Sequence, residues 1–204
     1  RILLPLGYAG YNFENCKDLT VEKISNFKLL TFNRLPLTLQ PQVLRRLKRE
    51  MGLKVVVDID DFWILYRAHY LYENWKKNKI TERIVECITL ADVVTCTTER
   101  LASKVRGLNS NVIVLPNALP FRETKDQFDS LKLPSTRTRF GFLGGTSHVS
   151  DVNSIAPVFQ HFNHLDMTYC GYVGISKEAC KINSILSNGE KNPNFKNIPQ
   201  APLD

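Results

Sequence analysis

One segment of the chain, KVVVDI at residues 54–59, limits the fold more than any other. It is almost continuously apolar and rich in β-branched residues, which is typical of a strand covered on both faces. Such strands lie inside parallel sheets, where successive strands are joined by crossover connections that usually contain a helix. The segment therefore predicts an α/β fold built on a parallel sheet.

Helix and strand patterns alternate on both sides of this segment. Before it, residues 41–52 place apolar side chains at helical spacing, with Pro41 at the start and Gly52 just past the end. After it come two further helix patterns, one at 81–91 that Thr81 is expected to cap and one preceded by Thr98. The other strand patterns of this half lie at 2–6, 28–33, 92–97 and 111–116. The alternation predicts right-handed βαβ crossovers in a doubly wound parallel sheet.

A second α/β pattern follows a polar, irregular stretch (RETKDQFDSLKLPSTR) that is typical of a link between domains. Strand patterns at 138–143 and 167–173 flank a helix pattern at 152–162, in which Pro157 is expected to kink or restart the helix. Residues from 187 onward are expected to form loop. We predict a Rossmann-like domain at 1–120, a linker at 121–137 and a partial Rossmann-like domain at 138–204.

The composition excludes several classes of protein and leaves the partner open. The 204 residues are 43% hydrophobic and 23% charged, as in soluble globular proteins, and no stretch approaches the roughly 20 apolar residues of a membrane span. The net charge is +7, and residues 1–120 supply +6 of it, from 18 Lys and Arg against 12 Asp and Glu. One interpretation is an anionic partner at the first half: a phosphorylated substrate, an anionic membrane surface or nucleic acid. The alternative is a basic surface that only keeps the protein soluble.

The cysteines indicate the redox environment. There are five of them, an odd number without paired short spacings, so neither a disulfide framework nor a zinc site is predicted. Reduced thiols in the cytoplasm fit this pattern best.

Three carboxylates, Asp58, Asp60 and Asp61, follow the central strand pattern. Open parallel sheets bind their ligands beyond the carboxyl ends of the strands, so these side chains are candidate catalytic residues. Clustered carboxylates raise one another's pKa unless a cation, a ligand or a backbone amide compensates them. The alternative is that Asp58 or Asp61 only caps the following turn.

The spacing of Asp58 and Asp60 is also similar to the nucleophile and the acid–base residue of haloacid-dehalogenase-like phosphatases. Those enzymes need a downstream lysine, for which Lys104 is available, and a second acidic pair that holds magnesium. No paired carboxylates follow Asp61, which weakens this alternative.

Two further segments are candidate binding sites. The run FWILYRAHYLYENW at 62–75 is rich in aromatic rings that either stack on a sugar or base or pack beneath a lid. His69 within it is a candidate proton acceptor or holder of a substrate hydroxyl, or an ordinary half-buried histidine. Gly144 and Gly145, between a strand and a helix, allow backbone N–H groups to approach an anion, although paired glycines also mark tight turns.

Taken in order, several segments resemble the group 1 (family 4-like) nucleotide-sugar glycosyltransferases of the GT-B fold. These segments are VVVDIDDFW, HYLYENW, ADVVTCTTERLASKVR, VLPNAL and GFLGGTSHVSDV. The likeness covers about residues 28–160, and the succession of the motifs indicates it rather than any single motif. It implies two Rossmann-like domains, the second one incomplete in this chain, with a nucleotide-sugar donor held between them.

The resemblance also implies which residues form the site. On the acceptor side it places Asp58, Asp60, Asp61 and His69, one of which positions or deprotonates the acceptor hydroxyl. On the donor side it places Gly144, Gly145, Thr146, His148 and, at the crossing between the domains, Asn117. Neither a metal ion nor a cofactor is expected, because main-chain amides and helix ends stabilise the departing diphosphate.

The sequence thus predicts a metal-independent and, from the family, retaining glycosyltransferase that moves a sugar to a glycan or lipid-linked hydroxyl acceptor. The expected location is cytoplasmic, with peripheral contact to an anionic membrane as a further expectation and no nucleic acid as partner. The basic pair and the acidic motif that family members carry in their second domain are not visible before Asp204, so the chain is expected to be incomplete for catalysis. The alternative is a non-catalytic α/β module that binds a nucleotide or a partner.

Overall fold

The computed structural model describes residues 2, 6–7, 9–16, 19–36, 38–67, 69, 71–117, 138–144, 148–161, 166–171, 177–187 and 196–199. The chain divides into two compact units, Arg1–Pro120 and Phe121–Asp204. Each unit contains a parallel sheet. The expected linker at 121–137 lies outside the described residues.

The first unit alternates helices and strands. Its strands are β1 (Leu29–Asn33), β2 (Lys54–Ile59), β3 (Val93–Cys96) and β4 (Val112–Val114). Its helices are α1 (Val21–Ser25), α2 (Pro41–Met51), α3 (Tyr72–Lys77), α4 (Ile80–Leu90) and α5 (Glu99–Val105). The predicted α/β fold is confirmed, and β2 lies inside the sheet with the bounds that its sequence predicts.

The strand order of this sheet is β1-β2-β3-β4, with all neighbours parallel. A doubly wound sheet has a point where the strand order reverses. No such reversal occurs among the strands that the structure describes in this unit, so the doubly wound arrangement stays a prediction.

The ends of two helices follow the predicted signals. Helix α2 begins at Pro41 and ends at Gly52, whose left-handed backbone (φ 64°) lets its N–H donate to the carbonyl of Lys48. Helix α5 begins after Thr98, whose Oγ1 accepts a hydrogen bond from the N–H of Leu101. Both signals are local, which is why the sequence shows them.

The cap predicted for α4 is wrong. The helix begins at Ile80, after Lys79, so Thr81 lies inside its first turn. The Thr81 hydroxyl donates to the carbonyl of Trp63 at 3.2 Å and accepts from the indole N–H of Trp75 at 3.0 Å. Contacts with distant residues therefore occupy the side chain that was expected to cap the helix.

The sheet of the first unit has one well-covered face. Val55, Val57 and Ile59 of β2 alternate onto it and are fully buried. They share one cluster with the apolar faces of α2, α4 and α5, which contribute Leu44, Leu47, Ile84, Cys87, Ile88, Ala102 and Val105. The opposite face is less covered at its edges, since Leu29 and Ile113 are each 48% exposed.

The predicted strand at 2–6 is not found where the structure describes that segment. Leu6 and Gly7 lie in a helical turn, and residues 3–5 lie outside the described ranges. A short apolar run is therefore not enough to predict a strand, since Leu6 at the end of this run lies in a helical turn.

The second unit has its own parallel sheet, in the order β5-β6-β7. Its strands are β5 (Arg139–Leu143), β6 (Asp166–Gly171) and β7 (Lys196–Pro199). Its helices are α6 (Val149–Ser154), α7 (Ala156–His161) and α8 (Lys177–Leu186). The described buried side chains are Val152, Met167, Ile182 and Leu186.

Two predictions for the second unit have opposite outcomes. The helix pattern at 152–162 is interrupted at Ile155 and restarts at Ala156 with Pro157 in the first turn, as expected of an internal proline. The expectation of loop beyond residue 187 is wrong, because β7 pairs with β6 there. The register that joins Lys196 to Thr168 depends on backbone pairing, which the polar sequence of β7 does not reveal.

In the described ranges, no helix has both the length and the apolar composition that crossing a membrane requires. The four cysteine side chains that the structure describes, Cys16, Cys87, Cys96 and Cys180, form no disulfide. Burial, assisted by Glu86 and opposed by Arg83, raises the pKa of Cys87 to about 12. That thiol is therefore an inert core group.

Candidate functional site

Polar side chains from three neighbouring strands meet near the carboxyl edge of the first sheet. The register pairs Asn33 of β1 with Asp58 of β2, and Asp58 with Thr95 of β3. The Thr95 hydroxyl donates to one carboxylate oxygen of Asp58 at 2.6 Å, and the Asn33 amide donates to the other at 3.4 Å. The same amide also donates to the Asp58 carbonyl at 3.2 Å. One hydrogen-bond network therefore spans β1, β2 and β3.

Asp58 is the buried centre of this network, with only 3% of its surface exposed. A buried carboxylate is stable only when its oxygens are compensated, and both oxygens of Asp58 accept hydrogen bonds. This geometry favours a positioning role for Asp58. It also disfavours the phosphatase alternative, in which the carboxylate must be open to attack a phosphorus atom.

Asp60 lies just beyond β2 and faces Arg34, which directly follows β1. The Nε of Arg34 lies 3.4 Å from Oδ1 of Asp60, but it donates its single hydrogen to Oδ1 of Asn33 at 3.0 Å. Oδ1 of Asp60 is buried and accepts no hydrogen bond from the described residues. The contact between Arg34 and Asp60 is therefore an ion pair without a hydrogen bond.

Asp61 differs from the other two aspartates. Its side chain is exposed, and none of the described residues forms a hydrogen bond or an ion pair with it. In the described part of the chain, no group of three or more His, Cys, Asp or Glu side chains could hold a metal ion. The three carboxylates predicted as one group thus occupy a buried, a half-buried and an exposed environment.

The aromatic segment after Asp61 divides between the two roles that its sequence left open. Trp63 is 5% exposed and belongs to the core, and its carbonyl accepts from the indole N–H of Trp75 at 3.3 Å. Phe62 and Tyr66 are 50% and 53% exposed. The tryptophans thus fix the segment, while Phe62 and Tyr66 are exposed rings that also pack against Trp63 and His69. Tyr70 lies outside the described residues.

His69 has a defined tautomer in its neutral form. Its Nδ1 accepts a hydrogen bond from the backbone N–H of Leu71 at 3.1 Å, so the ring proton must lie on Nε2. The edge of the ring packs against Tyr66, with 5.7 Å between the ring centroids. In this arrangement Nε2 carries the ring proton and is a donor, whereas the sequence also left a proton-accepting role open.

In the second unit, Gly144 directly follows β5 and lies between two rings. A Cβ at this position would come within 2.9 Å of the Phe142 ring and 3.4 Å of the His148 ring. The His148 ring is held by a 2.9 Å contact between its Nδ1 and Oδ2 of Asp151. A side chain at 144 would therefore have to displace the Phe142 ring.

The remaining donor-side candidates have different positions. Gly145 and Thr146 lie outside the described residues. Asn117 belongs to the first unit, where it is exposed shortly after β4. The network in the first unit also contains residues that the sequence analysis did not select, namely Asn33, Arg34 and Thr95. Their positions at the ends of neighbouring strands were the available signal.

No family model matches the chain, and no curated protein matches it either. Among solved structures, the chain is similar to sucrose-phosphate synthase from Thermosynechococcus elongatus, a glycosyltransferase of the GT-B fold. The TM-score is 0.63 over 86% of this chain at 10% sequence identity, and the match covers 46% of the length of that protein. At this identity the likeness establishes a glycosyltransferase-like α/β fold and nothing finer. Membership of the group 1 family and two complete Rossmann-like domains stay predictions.

Proposed function

We propose that the chain belongs to a glycosyltransferase that moves a sugar from a nucleotide diphosphate to a hydroxyl acceptor, without a metal ion and with retention of configuration. The observation that supports this most is the fold likeness to a glycosyltransferase over 86% of the chain. Because one fold serves many functions, the likeness needs support from a site. The polar network at the carboxyl edge of the first sheet, where open α/β sheets bind ligands, supplies that support.

In this proposal the first unit binds the acceptor, a glycan or a lipid-linked sugar. Asp61, which is exposed and without a protein partner among the described residues, is the carboxylate best suited to accept the proton of the acceptor hydroxyl. His69 donates a hydrogen bond from Nε2 to a substrate oxygen. Asp58 and Asp60 hold Asn33 and Arg34 in place. Phe62 and Tyr66 provide rings on which a sugar packs.

The second unit binds the diphosphate of the donor through its main chain. Gly144, Gly145, Thr146 and His148 are the proposed donor-binding residues of this unit, and Asn117 of the first unit stays a proposed donor-binding residue from the resemblance. Amides that are already oriented toward the leaving diphosphate stabilise its growing charge in the transition state. A cytoplasmic location is part of the proposal, and the basic first half supports contact with an anionic membrane.

A ligand screen tests the proposal directly. The protein is heated with UDP-, GDP- and ADP-sugars in turn, with and without EDTA, and the release of nucleoside diphosphate is measured with a panel of sugar acceptors. We expect one class of nucleotide sugar to raise the Tm, since a ligand that binds the native state stabilises it. EDTA should leave the rise in Tm unchanged. NMR of the product should show that the transferred sugar keeps the anomeric configuration it had in the donor. If no nucleotide sugar shifts the Tm or releases its nucleotide, the proposal is wrong.

Two substitutions of His69 separate its two ring nitrogens. His69→Asn keeps an acceptor near the position of Nδ1, and thus the bond to Leu71, but removes the donor at Nε2. His69→Gln keeps a donor near the position of Nε2. We expect His69→Asn to lower kcat about 100-fold, as for the loss of a positioned proton donor, and His69→Gln to lower it less. Full activity in the folded Asn variant would contradict the role of Nε2.

A further inference from the structure

We propose that Arg34 forms a binding site for the phosphate group of a small phosphorylated substrate at the carboxyl edge of the first sheet. Arg34 directly follows β1, next to the network of Asn33, Asp58 and Thr95. It is a cation in a set of otherwise acidic and neutral side chains. No residue of the proposed acceptor or donor site supplies such a charge.

The backbone of Arg34 is held in an uncommon conformation. Its φ is 53°, in the left-handed region that favours glycine or asparagine, and long side chains rarely occupy it. The N–H of Leu35 donates to the carbonyl of Asn33 at 2.6 Å, so Arg34 is the central residue of a tight turn. Its own N–H donates to the carbonyl of Asp58 at 2.9 Å. A strained arginine at this position suggests that the guanidinium has a function of its own.

The guanidinium is oriented at one end and available at the other. Its Nε donates to Oδ1 of Asn33 at 3.0 Å and lies 3.4 Å from Oδ1 of Asp60. Its two terminal nitrogens, which carry four N–H donors, form no hydrogen bond with any residue that the structure describes. The side chain is 36% exposed. A planar group with two such nitrogens binds two oxygens of a phosphate at once.

The charge of the first half as a whole favours an anion, while the charged side chains closest to Arg34 are carboxylates. Asp60 forms the one ion pair of Arg34 among the described residues, and no hydrogen bond strengthens it. Its closest contact is at Nε and involves no hydrogen bond, so Asp60 uses none of the hydrogen-bond donors on the two terminal nitrogens. The charge of +6 on residues 1–120 attracts the same kind of ligand. A phosphate monoester is therefore the ligand class that fits this site.

The test is a calorimetric titration of the whole protein with inorganic phosphate and with glucose 6-phosphate at low ionic strength. We expect saturable binding that Arg34→Asn weakens at least tenfold, since asparagine accepts a positive φ but has no guanidinium. Lys79→Asn is the matched control, because Lys79 has nearly the same backbone conformation (φ 51°) and loses the same charge. Its affinity should equal that of the parent. Equal affinities for both variants, or no saturable phosphate binding to the parent, would overturn the proposal.

A second variant keeps the test valid if Arg34→Asn does not fold. Arg34→Lys keeps the charge but loses the planar pair of donors, so we expect an affinity several-fold weaker than that of the parent. An affinity equal to that of the parent would show that only general charge matters, and the site would be refuted.

That the phosphate belongs to the sugar acceptor rests on the proposed function, while the site itself does not. Tighter binding of glucose 6-phosphate than of inorganic phosphate, UDP or glucose supports a phosphorylated acceptor. Arg34-dependent binding that is tightest for UDP assigns the site to the donor and overturns the acceptor assignment. Phosphate binding that depends on Arg34, in a protein without sugar transfer, supports the site and refutes the proposed function alone.

Discussion

The carboxyl edges of the two sheets offer different chemistry to a ligand. In the first unit, β1, β2 and β3 end in a network of side chains that contains a cation, carboxylates and hydroxyl groups. In the second unit, β5 ends in Gly144 between the rings of Phe142 and His148. Similar parallel sheets therefore present a polar side-chain network at one edge and a glycine packed between two rings at the other. Recognition by side chains suits a specific hydroxyl or phosphate, whereas main-chain recognition suits a common diphosphate.

The packing beneath the two edges differs as well. The first sheet lies on a buried cluster that joins β1, β2 and β3 to four helices, α1, α2, α4 and α5. In the second unit the described buried cluster consists of Val152, Met167, Ile182 and Leu186. The strands that carry the polar network of the first unit thus belong to a large buried hydrophobic cluster.

The largest change in the free energy of unfolding should come from a substitution in this hydrophobic cluster. Leu47 of α2 is 1% exposed, and Leu47→Ala should lower the free energy of unfolding of the first unit by about 2 to 5 kcal/mol through lost burial and a cavity. Leu29→Ala is the control, because Leu29 is 48% exposed on the other face, and it should cost less than about 1 kcal/mol. Denaturant unfolding monitored by circular dichroism measures both. Similar losses would contradict the difference between the two faces.

The network itself should give the next largest effect. Asp58→Ala leaves the Thr95 hydroxyl and the Asn33 amide without their carboxylate, and we expect a loss of about 2 to 4 kcal/mol. Asp61→Ala removes an exposed carboxylate and should change stability by no more than about 0.5 kcal/mol. Urea titrations of the two variants compare them. A stable Asp58→Ala protein would mean that the network does not hold the edge together.

The edge of the second sheet should be sensitive to a single methyl group. Gly144→Ala brings a Cβ within 2.9 Å of the Phe142 ring, so we expect a loss of about 1 to 3 kcal/mol and a weaker Tm response to nucleotide sugars. Gly141→Ala is the control within the same strand, because a Cβ there meets no atom within 4 Å. It should keep both the stability and the response. An unaltered Gly144→Ala protein would show that the rings move aside freely.

The smallest effect concerns the opposite, amino edge of the first sheet. Asp92 accepts hydrogen bonds from Lys48, the N–H of Val55 and Lys54. Desolvation is the largest influence and would raise the pKa of Asp92, but these partners together hold it below the ordinary value of 3.8.

A carboxylate with a lowered pKa in the folded state stabilises the protein above its unfolded-state pKa of about 3.9, and this contribution disappears as the pH falls through the lower folded-state value. Asp92→Asn should therefore show a shallower fall of the free energy of unfolding below about pH 4 than the parent does. An unchanged slope in Asp92→Asn would show that the pair with Lys48 does not act as described.

The strands and helix ends that the sequence predicts well are those with local causes. The β-branched run of β2 needs burial on a sheet, Gly52 is suited to the left-handed end of α2, and Thr98 caps the helix that follows it. Thr81 and β7 depend instead on contacts with distant residues. Such contacts leave no pattern in the neighbouring sequence.

The same distinction applies to the candidate site. The aspartates after β2 were predictable from their position at the end of a buried strand. Their separation into buried, half-buried and exposed groups was not, because it depends on Asn33, Arg34 and Thr95 of other elements. The positive φ of Arg34 likewise results from a turn that no glycine marks.

Both tryptophans of the chain lie in the first unit, so intrinsic tryptophan fluorescence reports on this unit alone. Trp63 and Trp75 both belong to it and are joined by a hydrogen bond from indole to carbonyl. Intrinsic tryptophan fluorescence therefore originates from the segment that follows the aspartates, with no labelling required. Movement of that segment when a sugar or phosphate binds should change the emission maximum, and unfolding of the second unit by itself should leave the two indoles in place.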